Sequence, residues 1–392
     1  MLSLAIVFVG LIVYGSLYPF TGWVSPEGPL LDFLTHPPVR VQKADLVQNV
    51  LAYLPLGLFL GAWLMQSMRL VGAIAVAGLA GAALSLAMEI IQQYLPSRDP
   101  SVVDLILNLL GTVGGAVLAS FLRGHGMPGN RLRVLREGWL ISGNTANLGL
   151  AALALWALSQ TSPLVPTLDP GQLRAGLALL ARAVLRPQDV MLAPMFSYAC
   201  YLAGLGLLVR MLAREGRSAF ALFAAVVAVV FVLKIIVEGR NLSAEALGGA
   251  VLAFLLLAIP SAGRRAWRAW AWSGMFLVGL GFVVIELTPG QGYVTRDFNW
   301  VPFAGQMRSL AGLQNILELV WPFFAMACFA RFLHREGRQR LALAGGVAVA
   351  LCVFWLEWMQ QDMAGRYGDV TQVMLAWTGW MLPWCFLSLI HI

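Results

Sequence analysis

Apolar runs of about 20 residues follow one another along most of this chain, and such a run can hide its surface only in a large protein core or in lipid. Twelve can be drawn: 3–20, 47–65, 70–93, 102–121, 140–159, 190–210, 218–237, 243–260, 272–288, 313–333, 341–359 and 370–389. Composition decides between the two environments. With 59% hydrophobic and only 11% charged residues among 392, and a mean hydropathy of +0.78, the chain lacks the charged surface of a soluble domain. The expected fold class is an all-α polytopic membrane protein of about 12 transmembrane helices. The fifth run is the weakest, because it carries Ser142, Asn144, Thr145 and Asn147. The first, MLSLAIVFVGLIVYGSLYPF, has neither a basic flank nor a small-residue cleavage site, so it reads as a span rather than a removed signal.

The net charge of +7 is a topology signal rather than a nucleic-acid signal. If the connections alternate sides, one side collects Arg69, Arg123, Arg131, Arg133, Arg136, Arg210, Arg214, Arg217, Arg264, Arg265, Arg268, Arg331, Arg335, Arg338 and Arg340, against only Glu137, Glu215 and Glu336. The other side takes the remaining eleven cations and sixteen carboxylates. By the positive-inside rule the first side is cytoplasmic, which puts both termini in the cytoplasm of a bacterial inner membrane. Trp267, Trp270 and Trp272 beside Arg264, Arg265 and Arg268 suit an interfacial aromatic belt. Cys200, Cys328, Cys352 and Cys385 stand far apart in apolar runs and read as buried core residues, not as metal ligands or disulfides. No phosphate-binding loop, nucleophile elbow, zinc motif or nicotinamide signature occurs, so no cofactor and no metal are expected.

Residues 89–111, EIIQQYLPSRDPSVVDLILNLLG, break the apolar rule. Ionisable and amide groups at membrane depth mark binding sites, proton paths or interhelical locks. Glu89, Gln92 and Gln93 share one helix face, whereas Asp104, Asn108, Gly111 and Gly115 form a stripe on the next span. Glycines on that stripe admit a neighbouring helix and turn the polar face inward. Arg98 lies between and can reach either carboxylate. Two readings stay open: an arginine–carboxylate lock, or an outward-facing polar pocket lined by Asn49, Glu89, Gln92, Gln93, Arg98, Asp99, Asp104 and Asn108.

The frame recurs. Around Arg366 the text EWMQQDMAGRYGDVTQVMLAWTG repeats the register, with Glu357 nine residues back, Gln360 six back and Gly379 thirteen forward, as Glu89, Gln92 and Gly111 stand to Arg98. Asn315 answers Asn49, and Glu318 and Asp369 join this second-copy site, with Glu318 expected to pair with Arg308 or Arg366. Gln372 and Ala376 replace Asp104 and Asn108. A degraded middle copy, with Glu238, Arg240 and Glu245 before a GGAVLA that echoes Gly114, completes three parallel four-helix repeats: 1–125, 126–262 and 263–392. Pro55 and Pro322, inside spans, are candidate kinks.

Residues 49–119 resemble the VanZ-like family of bacterial membrane proteins. The motifs are N-x5-P-L-G from Asn49, E-x2-Q from Glu89, and R-x5-D-x3-N-x2-G from Arg98; residues 315–379 resemble it as a divergent copy. The resemblance implies a cell-envelope role of the kind associated with glycopeptide antibiotic resistance or exopolysaccharide assembly. Three functional classes follow: a binder of a headgroup, lipid-linked glycan or glycopeptide-like ligand on the outer face; an acid/base enzyme on a lipid-linked substrate with Glu89 and Asp104 as catalytic candidates; or a proton-coupled transporter. The expected partners are membrane lipids and such a glycan or glycopeptide, not nucleic acid.

Overall fold

A computed structural model describes residues 1–17, 22–26, 28–35, 43–96, 98–123, 126–162, 170–237, 239–259, 266–290, 297–303, 310–333 and 338–385. Arg264, Arg265, Glu238, Arg308, Arg335 and Glu336 lie outside them. Among the described residues the fold is α-helical, with isolated bridges and no strand. The helices group into two compact units, Met1–Gly138 and Trp139–Ile392.

The first unit holds α1 (Leu2–Leu17), α2 (Lys43–Leu64), α3 (Leu70–Gln92), α4 (Val102–Leu122) and most of α5 (Gly126–Trp139). Its tightest contact is α2 against α4, and small residues make it so. On α4, a Cβ at Gly111 would fall 2.4 Å from the Val50 carbonyl oxygen, and one at Gly115 would fall 2.0 Å from that of Leu54. On α2, Gly57 faces the Thr112 backbone and Gly61 faces Ala116. Both helices thus present glycines four apart, the spacing that lets two membrane helices touch backbone to backbone. Pro55 sits inside α2 without ending it.

The second unit runs α6 (Asn144–Thr161), α7 (Pro170–Leu185), α8 (Leu192–Leu212), α9 (Ala219–Ile236), α10 (Ala244–Ala258), α11 (Trp267–Glu286), α12 (Leu310–Leu333), α13 (Arg338–Met359) and α14 (Val370–Cys385). Helix α8 packs on α10 and α11, while α12 packs on α6, α11 and α14. The core is built on Leu202, Leu205, Leu208 and Leu212 of α8, with Trp156, Phe223, Val278 and Phe329. On α13, Leu343, Val347, Leu351 and Trp355 are exposed at every fourth residue, an apolar stripe that needs lipid to cover it. Between α8, α10 and α11 an apolar groove of about 300 Å³ is lined by residues such as Leu207, Leu256 and Phe276.

Each of the twelve apolar runs coincides with a helix. Among the described residues, eight helices are long and apolar enough to cross a membrane, and α1 and α10 are shorter apolar helices. Helices α5 and α7 lie between the twelve runs. Both are amphipathic: α5 exposes Val134 and Leu135 beside Arg131, and α7 exposes Leu179 and Leu185 beside Arg174 and Arg182. Their polar faces keep average hydropathy too low to register as spans. The cysteine expectation needs correction as well. Cys200 and Cys328 are buried, but Cys352 and Cys385 are exposed on the protein surface, because in a membrane chain an apolar position faces lipid as readily as core.

Arginines stitch helix pairs at helix ends. Arg123 donates to the Ala62 carbonyl, Arg210 to that of Leu257 and Arg331 to that of Pro383, joining α4 to α2, α8 to α10 and α12 to α14. Arg210 lies over Trp270 at 6.0 Å and Arg268 over Trp267 at 5.4 Å, so part of the expected aromatic belt is tied to cations.

Candidate functional site

Helix α4 begins at Ser101, whose side-chain oxygen accepts the Val103 amide at 3.1 Å, an N-cap that satisfies one of the free donors of the first turn. The Ser101 amide itself is taken by Glu89. Only 3% exposed, Glu89 accepts it on Oε2 at 2.9 Å and so fastens the last turn of α3 to the start of α4. Two neighbours fasten α1 to the same place. Gln92 donates to the Ser16 carbonyl at 3.0 Å and Arg98 to the Gly15 carbonyl at 2.7 Å. Burial pulls the Arg98 guanidinium below its ordinary pKa, and in such partly dry surroundings a charged donor holds a carbonyl more firmly. Gln93 donates to the Leu30 carbonyl, and Asp99 is exposed. Asn49 is half-buried on α2.

The stripe on α4 behaves differently. Asp104 is half-buried in the first turn, within Coulombic range of Glu89. Asn108, 4% exposed, donates to the Ser85 hydroxyl at 2.9 Å and leaves its Oδ1 without a partner. Tyr53, 3% exposed, lies beside Ser85 and Glu89, and its hydroxyl likewise makes no well-formed hydrogen bond. Buried polar atoms are nearly always satisfied. Two such atoms lie around one serine, Ser85.

The residues around Arg366 make a corresponding set of bonds. Glu357, fully buried, accepts the Asp369 amide on Oε2 at 2.9 Å, and Asp369 caps α14 by accepting the Thr371 amide at 2.8 Å. Gln360 reaches the Glu286 carbonyl at 3.3 Å and its Oε2 at 2.7 Å. Arg366 donates to the carbonyls of Ile285 at 2.6 Å and Thr288 at 3.0 Å, and pairs with Glu286 at 3.1 Å. Asn315 is exposed, and Ala376, at the place of Asn108, is buried. Glu318 accepts from Gln314 at 2.7 Å and lies 3.8 Å from Arg240, the partner it takes in place of Arg366, which Glu286 already occupies.

Arg240 makes the third instance. It donates to the carbonyls of Ser162 at 2.7 Å and Ser159 at 2.8 Å, at the end of α6. Three residues after each arginine stands the N-cap of the next helix, Ser101, Ser243 or Asp369. Six residues before stands a donor aimed at the end of the first helix, Gln92, Lys234 or Gln360. The interval from arginine to N-cap is thus the same in all three instances. This register also puts the two GGAVLA segments out of step, since Gly114 is sixteen residues after Arg98 and Gly248 eight after Arg240. Small apolar six-mers recur because helix contacts demand them, and that identity was no guide to alignment.

Sequence reasoning passed over Tyr53, Ser85, Ser101, Lys234 and Glu286. Lys234 and Glu286 were visible as charges closing apolar runs; the other three carry no signal without their neighbours.

Residues 1–123 match the family model VanZ/LLP1. The N-terminal unit is VanZ-like. The match takes in α1 to α4, so the lock of Glu89, Gln92 and Arg98 and the polar stripe of Asp104 and Asn108 both fall inside the VanZ-like segment. Comparison with curated proteins and with solved structures found no match.

Proposed function

We propose that the VanZ-like unit of this membrane protein holds a polar group of a cell-envelope ligand, and that Tyr53, Asn108 and Asp104 receive it. The observation that carries this reading is the pair of buried unsatisfied atoms, Tyr53 Oη and Asn108 Oδ1, beside Ser85. An amide oxygen, a carboxylate and a phenol form an acceptor-rich site, which suits a donor-rich ligand: sugar hydroxyls of a lipid-linked glycan, or amides of a glycopeptide. Arg98, Gln92 and Glu89 hold backbone groups, so in this reading they are positioning residues, and Arg98 is not the anion clamp that its charge suggests. A role in antibiotic resistance or exopolysaccharide assembly, on the outer side of a bacterial inner membrane with both termini cytoplasmic, is part of the same proposal. So is the division into three four-helix copies, supported by the three arginine locks.

The test is binding of fluorescent teicoplanin and of a labelled lipid-linked disaccharide to the purified full chain. Tyr53→Phe and Asn108→Leu each remove one hydrogen-bonding group, and each is expected to weaken binding by about threefold to tenfold. Unchanged binding in both variants, with unchanged melting, refutes the proposal. One observation favours acid/base or proton-coupled chemistry instead: the proximity of Glu89 to the Asp104 charge. Glu89→Gln keeps an acceptor for the Ser101 amide and cannot carry the proton, so loss of turnover or coupling with intact binding selects that class.

A further inference from the structure

The second unit contains a polar centre built around a cation where the other two locks have an amide. Lys234, in the last turn of α9, is 5% exposed and donates to Gln160 Oε1 at 3.0 Å and to the Tyr198 hydroxyl at 3.2 Å, both neutral. Arg240 follows, its side chain 13% exposed. The acid facing them is Glu318, 3.8 Å from Arg240 and within Coulombic range of Lys234, with a half-open side chain whose oxygen already accepts from Gln314. Two residues beyond Gln160, the Ser162 hydroxyl is buried without a partner. The C-terminal ends of α6 and α9 favour a cation here, and among the described residues a buried and a part-buried cation face one divided carboxylate. Gln92 and Gln360 perform the same stitching without a charge, so stitching does not explain the lysine.

We infer that Lys234, Arg240 and Ser162 form an anion site for a phosphate group, carried by a lipid headgroup or free in solution. Lys234 has one N–H left after its two bonds, Ser162 an unused hydroxyl, and Arg240 further guanidinium donors beyond those on the α6 carbonyls. Glu318 stands beside the site and repels a second negative charge. That selects a singly charged phosphodiester over the doubly charged form of inorganic phosphate. The site is independent of the one proposed in the VanZ-like unit, with which it shares no residue.

The experiment uses the full chain in maltoside micelles. Dioleoylphosphatidylglycerol and dioleoylglycerol are compared by native mass spectrometry, and radiolabelled inorganic phosphate by equilibrium dialysis. Retention of the phosphatidylglycerol but not the phosphate-free lipid is expected, with a loss of about tenfold in Lys234→Gln and near-wild-type retention in Lys234→Arg. Lysine-dependent binding of inorganic phosphate alone would assign the site to the free anion. Glu318→Gln, which removes the repelling charge, is expected to tighten binding severalfold, and it decides the matter if Lys234→Gln fails to fold. Binding of neither probe, binding indifferent to Lys234→Gln in a folded protein, or weakening in Glu318→Gln overturns the inference.

Discussion

Replacing Glu89 by alanine tests whether the carboxylate is a fastener. In the wild-type protein its Oε2 accepts the Ser101 amide at 2.9 Å from a position only 3% exposed. The substitution removes a hydrogen bond to a charged acceptor, worth about 1.5–3 kcal/mol, and orphans a buried N–H. It also removes a negative charge near the N-terminus of α4, worth about 0.3–1 kcal/mol. Against this, a charge no longer has to be desolvated beside Asp104, which returns part of the loss. The net destabilisation expected is about 2 kcal/mol. Glu89→Gln keeps an acceptor oxygen and should cost about 1 kcal/mol or less. Hydrogen exchange of the first-turn amides of α4, measured on the full chain in detergent alongside thermal melting, reads both effects. Glu89→Ala should speed exchange at Ser101 and Val103, and Glu89→Gln should largely preserve protection. Unchanged exchange in Glu89→Ala, or equal damage from glutamine, would show that the bond does not hold the helix start. The same pair of variants at Glu357, which holds the Asp369 amide, should behave alike at the start of α14.

Gly115→Ala places a Cβ 2.0 Å from the Leu54 carbonyl and 2.7 Å from the Leu58 amide, both backbone, so α2 and α4 must separate; a loss of about 3 kcal/mol is expected. Gly114→Ala, with nothing within 4 Å, should melt within about 0.5 kcal/mol of wild type, and equal effects at the two positions would contradict the packing account. Arg366→Ala breaks two carbonyl bonds and the pair with Glu286, leaving a buried acid uncompensated. It should therefore destabilise by about 3 kcal/mol or more, and Glu286→Gln in the same chain should recover part of that, as a double-mutant cycle would show. For the proposed topology, an impermeant maleimide added to intact cells should label Asp99→Cys but not Arg131→Cys; the reverse pattern inverts the orientation.

Each of the twelve apolar runs, read singly, falls on one of the fourteen described α-helices, because a helix in lipid must satisfy its backbone within itself and so announces itself as a long apolar run. Amphipathic α5 and α7 escaped that reasoning, since their polar faces carry Arg131 and Arg174 into the average. Of the candidate site, the sequence showed the Glu89–Gln92–Arg98 frame and its recurrence at Glu357, Gln360 and Arg366. It could not show what the frame does. A carboxylate aimed at a ligand and one aimed at a backbone amide have the same spacing in the chain.

What the sequence determined by itself was the membrane class, the helix positions and the repeated register, all fixed by local composition and spacing. The use of each polar group was decided only in three dimensions. Glu89 meets the amide of a residue twelve positions on, Arg98 meets a carbonyl 83 positions back, and the Asn108 amide meets Ser85 from another helix. Satisfaction of a buried hydrogen-bonding group depends on whichever neighbour arrives from elsewhere in the chain. The division into fasteners and unfilled acceptors therefore exists only once the helices are packed.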